Sequence, residues 1–325
     1  MNLVKSRPLM VDERYLMSRV FRLFFAAFLL LYVLAIVSCA TVDASKQPAT
    51  SGALALEPTN EKSSNVKSVA PALNAASIVA QQNHRVAGLE KFATRGSAEL
   101  RWHDEKGDHF EQAQVDLAWR NGGDDISLRA DKMGERLAWA GANAKQWWLF
   151  EPKREPSRLW LGARDTPVPD SLLPFAGPDA LLELLAAKPW PEKISLSQDR
   201  PGNFWADFDR PKRGAWVKTR VQVETNTGFP SHIWLVDAEG NVLAQSELSE
   251  PVMANMNHLP MADRPMVASK ITLKSVSNVG VWQIFWDEPG AREDRLKDRL
   301  FDLEVIRGVM RPVEVIDLEK GQPKR

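Results

Sequence analysis

The sequence predicts a mainly β fold with a few helices, an antiparallel meander that curls as a sandwich or a barrel. Short segments with apolar residues at every second position recur along most of the chain, at a spacing of roughly 8–12 residues. Turns rich in Gly, Asn and Asp join them. Because these connections are too short for crossover helices, a parallel sheet is disfavoured.

The segment 71–92, PALNAASIVAQQNHRVAGLEKF, is predicted to form a helix that leads into the first strand. Its apolar residues have the spacing of a helix face rather than of a strand. They are Leu73, Ile78, Val79, Val86 and Leu89. A second helix is predicted to begin at Gly177-Pro178-Asp179, with Pro in its first turn, and to end before Pro189.

From residue 96 the hydrophobic period changes to two, which indicates half-buried strands. In the first strand Ala98, Leu100 and Trp102 alternate with polar residues, and a turn at 105–108 follows. The other strands are predicted near 113–119, 126–130, 137–139, 147–150, 159–161, 194–196, 204–208, 216–223, 232–236, 242–248, 271–273 and 281–286. The segment 292–318 is predicted to add a short helix and a final strand or two.

The N-terminal segment has the pattern of an export signal. Basic residues precede an apolar run from Leu23 to Val37, which is shorter than the roughly 20 residues of a spanning helix. Ile36-Val37-Ser38-Cys39 resembles the lipobox of bacterial lipoproteins, in which the cysteine is acylated and becomes the new N-terminus. Two alternatives stay open. The apolar segment could be retained as an anchor, or a cut after Ala40 could release a soluble periplasmic protein.

The composition predicts four parts. Residues 1–38 form the lipoprotein signal peptide, 39–69 a flexible tether, 70–318 one folded domain, and 319–325 a tail. The tether is rich in Ala, Ser, Thr and Pro, and it has too few large apolar residues to offset the entropy of ordering the chain.

Composition also excludes several kinds of chemistry. Cys39 is the only cysteine, so the folded part has no disulfide, thiolate-metal site or cysteine nucleophile. The formal net charge of zero provides no long-range attraction to nucleic acid. Membrane contact is therefore expected through the N-terminal lipid or an apolar surface, and no cofactor is predicted.

No catalytic motif is recognisable. His103 and His109 flank a hairpin turn, where polar residues are normal, and their spacing matches no zinc-binding pattern. The chain has no Gly-rich phosphate loop and no G-x-S-x-G nucleophile elbow. We therefore expect a protein that is not an enzyme.

Tryptophan and methionine supply the candidate contacts for an apolar ligand. All twelve tryptophans lie in the folded part, where they either fill a core or line a cavity. The candidates are Trp102, Trp119, Trp139 and Trp148. Four methionines crowd into PVMANMNHLPMADRPM, which its prolines predict to be a loop, either packing over an open barrel end or contacting acyl chains. They are Met253, Met256, Met261 and Met266.

The segments GSAELRW and DISLRADKMGERLAWAGANAKQWWLFEPK resemble the half-barrel proteins of bacterial lipoprotein localisation, the Lol-type carriers and acceptors and their lipoprotein-sorting relatives. The places of the recurring elements are held by Leu128-Arg129, the turn Gly141-Ala142-Asn143, and Trp148, Phe150 and Pro152. The similarity covers roughly residues 71–248. It implies a curved, antiparallel, unclosed half-barrel of eleven strands with a helical lid, an apolar cavity for lipid chains and no catalytic residues.

The resemblance implies an outer-membrane lipoprotein that faces the periplasm, since Ala40 rather than Asp follows Cys39. Its half-barrel would bind the acyl chains of lipoproteins or lipids without chemistry. Two alternatives stay open: a structural or interaction lipoprotein whose barrel is filled by its own tryptophans, and a hydrolase with a dispersed site. A cavity of several hundred Å³ would favour binding. The sequence leaves the oligomeric state open.

Overall fold

In a computed structural model of the chain, fourteen strands form a single sheet. The structure describes residues 74–104, 107–169, 172, 177–200, 203–210, 216–275 and 280–320. The predicted signal peptide, Cys39 and the predicted tether lie outside the described residues. Among the described helices, none is both long enough and apolar enough to cross a membrane.

Within the described residues, three α-helices accompany the sheet: α1 Ala75–Ala87, α2 Pro178–Leu184 and α3 Leu303–Met310. The strands are β1 Phe92–Asp104, β2 Gly107–Arg120, β3 Asp125–Lys132, β4 Glu135–Ala142, β5 Gln146–Glu151, β6 Arg158–Ala163, β7 Ser195–Arg200, β8 Asn203–Asp209, β9 Lys218–Glu224, β10 Pro230–Val236, β11 Val242–Met253, β12 Met266–Ser275, β13 Val281–Gly290 and β14 Glu314–Asp317.

The sheet consists of two antiparallel meanders that join at their ends. Strands β1 to β6 form one meander and β7 to β13 the other, and β13 pairs with β1. β14 lies beside β6 at one edge, as the single parallel pair of the described sheet, and β7 forms the other edge. The predicted mainly β, unclosed half-barrel with helices is confirmed. The strand count implied by the resemblance was wrong: the described sheet has fourteen strands rather than eleven.

Helix α1 begins where the sequence offers a cap. The Asn74 side chain accepts a hydrogen bond from the Ser77 backbone N–H at 2.8 Å, and the Ser77 hydroxyl oxygen accepts from the Asn74 N–H, so two orphan donors of the first turn are satisfied. The predicted helix is confirmed with shorter bounds. Phe92, expected at its end, belongs to β1, where its ring stacks on Trp119 at 4.2 Å.

Both faces of the sheet are covered, by different helices. The face under α1 and α2, here called the inner face, carries the larger cluster of buried side chains and takes residues from β1 to β6 and β8 to β14. The opposite, outer face carries a second cluster from β4, β5 and β6, with Ala93 of β1 and Ala118 of β2, against α3 and residues 300–301. Alternate residues of these strands therefore belong to two different clusters of buried side chains, one on each face of the sheet.

Two adjacent tryptophans of β5 point to opposite faces of the sheet, as successive strand residues must. Trp147 joins the inner cluster and its indole lies over Gly162 of β6; Trp148 joins the outer cluster and lies over Gly141 of β4. A Cβ at Gly141 would stand 2.6 Å from the Trp148 ring. The predicted turn at Gly141-Ala142-Asn143 was wrong in its first two residues, which belong to β4 and pair with Trp148 and Trp147 of β5. Gly141 suits its position because the Trp148 indole leaves no room there for a side chain.

The methionine-rich segment, predicted to be a loop throughout, is partly strand. Met253 ends β11 and pairs with Met266, which begins β12. Pro251 is tolerated inside β11 because the pairing of β11 with β10 ends at Glu247, so Pro251 lies where the strand is paired on one side only. The connection between the two strands keeps the predicted loop character.

Candidate functional site

The inner face of the sheet contains an apolar groove with a volume of about 420 Å³. Its lining comes from both meanders, from α2 and from Leu172. The lining residues are Val115, Leu117, Leu128, Ala130, Leu137, Ala138, Ala140, Leu149, Glu151, Lys153, Arg154, Leu172, Leu181, Leu273, Trp282, Ile284 and Trp286. Its volume lies within the range of roughly 300–1,000 Å³ that is typical of ligand sites.

The space in the groove arises from alanines. Ala130 of β3 pairs with Ala138 of β4, and Ala140 follows on the same face. On the other side of the groove, β13 presents Trp282 and Trp286 at alternate positions with Ile284 between them. Because the alanine side chains are small, this part of the lining leaves space that the protein does not fill.

Charged side chains lie at one end of the groove, where β5 ends. Glu151 accepts a hydrogen bond from the Trp160 indole N–H at 2.6 Å, and Arg154 Nη1 lies 3.8 Å from Glu151 Oε2. Lys153 pairs with Glu135 of β4. The groove is thus hydrocarbon along its length and polar at its mouth, as an acyl chain with a polar head would require.

Helix α2 is held over the groove by buried ion pairs. Asp179 pairs with Arg164 at 3.0 Å and with Lys188, while Glu183 pairs with Arg210 at 2.8 Å. Burial opposes the ionisation of Asp179, but Lys188 and Arg164 outweigh it and hold the pKa of that carboxyl below its ordinary value. Leu181 of the same helix lines the groove.

Arg164 joins that helix to the turns of the sheet. Besides Asp179, its guanidinium donates to the backbone carbonyls of Gly123, Asp124 and Asn143, at 2.7–3.1 Å. One cation therefore connects β6 and α2 to the connections on either side of β3 and β4. The position of α2 over the groove depends on charge as well as on packing.

The four predicted tryptophans lie outside the groove lining. Trp119 belongs to the inner core, where its indole N–H donates to the Leu89 carbonyl at 2.7 Å. Trp139 and Trp148 lie in the outer cluster. Trp102 stacks on His109 at 4.8 Å, in a separate open cleft near the tip of the β1–β2 hairpin. Contact of these four residues with a ligand stays a prediction.

The four methionines are also placed away from the groove lining. Met256 is fully buried in the inner core, whereas Met253, Met261 and Met266 are exposed. Met266 lines a smaller cavity beside α1. Their contact with cargo likewise stays a prediction.

The residues that line the groove were missed in the sequence, although a signal existed. The segment VWQIFW places Trp282, Ile284 and Trp286 at alternate positions, which marks one face of a strand. The alanines gave no such signal, because a small residue in a strand predicts nothing about what stands opposite.

The described residues hold no group of three or more His, Cys, Asp or Glu that could bind a metal ion. His103 Nδ1 lies 2.8 Å from Asp108 Oδ1, at the exposed hairpin tip. The groove lining is mainly hydrocarbon, and its charged members are Glu151, Lys153 and Arg154.

No family model and no curated protein matches the chain. Among solved structures, it is similar to a LolA-superfamily protein from Nitrosomonas europaea, at 11% identity and a TM-score of 0.48, over 72% of this chain and 99% of that one. A domain named for outer membrane lipoprotein sorting, from Vibrio parahaemolyticus, matches at 12% identity and 0.48, over 72% and 100%. A DUF1329 family protein from Desulfovibrio piger matches at 8% identity and 0.47, over 71% and 96%. The resemblance indicated by the sequence motifs is confirmed as a resemblance.

Proposed function

We propose that the chain is a lipid-binding protein whose inner-face groove holds an acyl chain of a lipoprotein or of another lipid. The groove itself is the observation that supports this function: about 420 Å³, with aliphatic and indole lining and charged side chains at one end. An aliphatic tail would lie against Leu128, Leu273 and Trp286. A polar head would remain at the mouth, beside Lys153 and Arg154.

Transfer of such a ligand needs no chemistry. At about 0.8 kcal/mol per buried methylene, a chain of some sixteen carbons contributes about 10 kcal/mol on leaving water. An apolar groove with spare volume can take up this chain and release it to another apolar site of similar depth. Movement of α2 would control entry, since Leu181 of α2 lines the groove.

Membrane attachment completes the proposed function. The resemblance of Ile36-Val37-Ser38-Cys39 to a lipobox supports lipid attachment at Cys39, with residues 39–69 as tether and 70–318 as the lipid-binding domain. The protein would then be an outer-membrane lipoprotein that faces the periplasm.

Radiolabelled palmitate tests the anchor: label should enter the wild type and be absent from Cys39→Ala. Equal labelling of the two would exclude attachment at this residue.

A substitution that fills the groove tests whether the groove binds lipid. Ala140 is half-buried and faces the groove, so Ala140→Trp should occupy the space while keeping the fold. Native mass spectrometry of the purified chain should show co-purified lipid in the wild type and little in this variant. Ala144→Trp is the matched control, because Ala144 is exposed in the β4–β5 turn.

Two different results would contradict acyl-chain binding in the groove, and each has a different meaning. Wild-type protein without lipid, and without uptake of a fluorescent fatty acid, would support the structural lipoprotein instead. Equal lipid content in Ala140→Trp and Ala144→Trp would mean that lipid binds elsewhere on the protein.

A further inference from the structure

Arg85, in the last turn of α1, is a half-buried cation whose hydrogen-bond acceptors are all neutral. Its Nε and Nη2 donate to Gln82 Oε1 at 3.1 and 3.0 Å, and Nη1 donates to the Met266 carbonyl at 3.2 Å. Nη2 also donates to the Ala186 carbonyl. Within the described part of the chain, no carboxylate lies at ion-pairing distance from this guanidinium.

Two other partly buried arginines of this protein have acidic partners. Arg164 pairs with Asp179, and Arg210 pairs with Glu183. Arg85 departs from that pattern, and burial lowers the pKa of its guanidinium to about 10. A charge that is partly removed from water and has no counterion is costly, and sites of this kind are candidates for ligand binding.

A cavity of about 220 Å³ opens beside Arg85, between α1 and the methionine-rich segment. A second arginine, Arg264, lines it. The Arg264 Nε donates to the Leu259 carbonyl at 3.3 Å, and in the residues described here its two terminal nitrogens have no hydrogen-bond partner. His84 also lines the cavity, and Asp263 is the one carboxylate among the described lining residues.

We propose that this cavity binds a small oxyanion, with Arg85 and Arg264 as its cationic partners. The two terminal nitrogens of Arg264 can offer a guanidinium fork to the oxygens of a phosphate or a carboxylate. Arg85 can add the one N–H of its Nη1 that is not bonded to the Met266 carbonyl. Such an anion would provide the missing countercharge for Arg85. Since this cavity shares no lining residue with the 420 Å³ groove, the site is independent of the proposed acyl-chain binding.

Calorimetric titration of the purified full-length chain tests the site. The probes are inorganic phosphate, acetate and glycerol 3-phosphate, each compared with sodium chloride at equal ionic strength. We expect saturable binding of at least one probe. Tighter binding of glycerol 3-phosphate than of inorganic phosphate would identify a lipid headgroup as the source of the anion, and the reverse order a free anion.

Two variants and one control decide the role of the arginines. Arg85→Gln and Arg264→Gln should each weaken binding at least about tenfold, the effect of losing one hydrogen bond to a charged group. Arg307→Gln removes an arginine on α3, far from the cavity in the fold, and should leave binding unchanged. If Arg85→Gln does not fold, Arg264→Gln still decides the result.

Absence of saturable binding of all three probes to the wild type would overturn the oxyanion site. So would binding that Arg264→Gln leaves unchanged. In either case Arg85 would only connect α1 to residues 186 and 266 and complement the C-terminal end of the helix.

Discussion

The two faces of the sheet bury apolar side chains in different ways. On the outer face, Trp139 and Trp148 are buried in one cluster with the residues of α3. On the inner face, Ala130, Ala138 and Ala140 stand where larger side chains would fit, and a groove remains. One sheet therefore carries a packed face and a face that keeps unfilled space.

The largest expected loss of stability comes from a substitution in the packed cluster of the outer face. Trp148→Ala removes a fully buried indole and should lower the free energy of unfolding by about 4 kcal/mol, as large-to-small core substitutions do. The lipid content of the folded protein should not change. Urea denaturation and native mass spectrometry measure the two quantities. Loss of lipid at wild-type stability would contradict the division between the faces.

The second-largest expected loss of stability concerns α2, the helix that lies over the groove. Asp179→Asn leaves Arg164 and Lys188 without their buried carboxylate partner and should lower the free energy of unfolding by about 3 kcal/mol. The same variant should exchange a fluorescent fatty acid faster than the wild type, because α2 is held less firmly. Unchanged exchange in a destabilised variant would show that α2 does not control entry.

The pH dependence of stability follows from the same carboxylate. Its pKa is lowered in the folded protein, so its stabilising contribution is present above the ordinary carboxyl pKa and is lost as the pH falls through the lowered value. We expect wild-type stability to decrease below about pH 4. Asp179→Asn should show a shallower decrease. Urea midpoints measured between pH 2 and pH 7 compare the two slopes.

A matched pair of leucines compares the faces directly. Leu159 is fully buried in the outer cluster, so Leu159→Ala should cost about 3 kcal/mol. Leu128 is half-buried and lines the groove, so Leu128→Ala should cost about 1 kcal/mol and weaken fatty-acid binding. Equal costs in urea denaturation would mean that the groove is as tightly packed as the outer core.

The smallest effect tests how α3 is held on the outer face. The Asp302 side chain caps this helix by accepting from the backbone N–H groups of Glu304 and Val305, at 2.9 and 3.3 Å. Asp302→Ala should lower the free energy of unfolding by about 1 kcal/mol. Fatty-acid binding should be unaffected. A change in binding would connect α3 to the groove on the other face.

The elements that depend on local interactions could be predicted from the sequence. The spacing of Ile78, Val79 and Val86 indicated α1, and Gly177-Pro178 indicated the start of α2. Alternation of apolar and polar residues indicated most strands, and short turns indicated antiparallel pairing. Each of these signals comes from residues a few positions apart in the sequence, so it can be recognised without knowing which distant segments are in contact.

The groove depended on contacts that the sequence does not display. β1 pairs with β13 although the two strands come from opposite ends of the described chain, and this pairing brings the alanines of β3 and β4 onto the same inner face as Trp282 and Trp286. Period-two alternation indicates that Trp147 and Trp148 point to opposite faces of the sheet, but not which of them joins the inner cluster. The volume of a groove depends on which side chains lie opposite one another, and only the tertiary structure determines those positions.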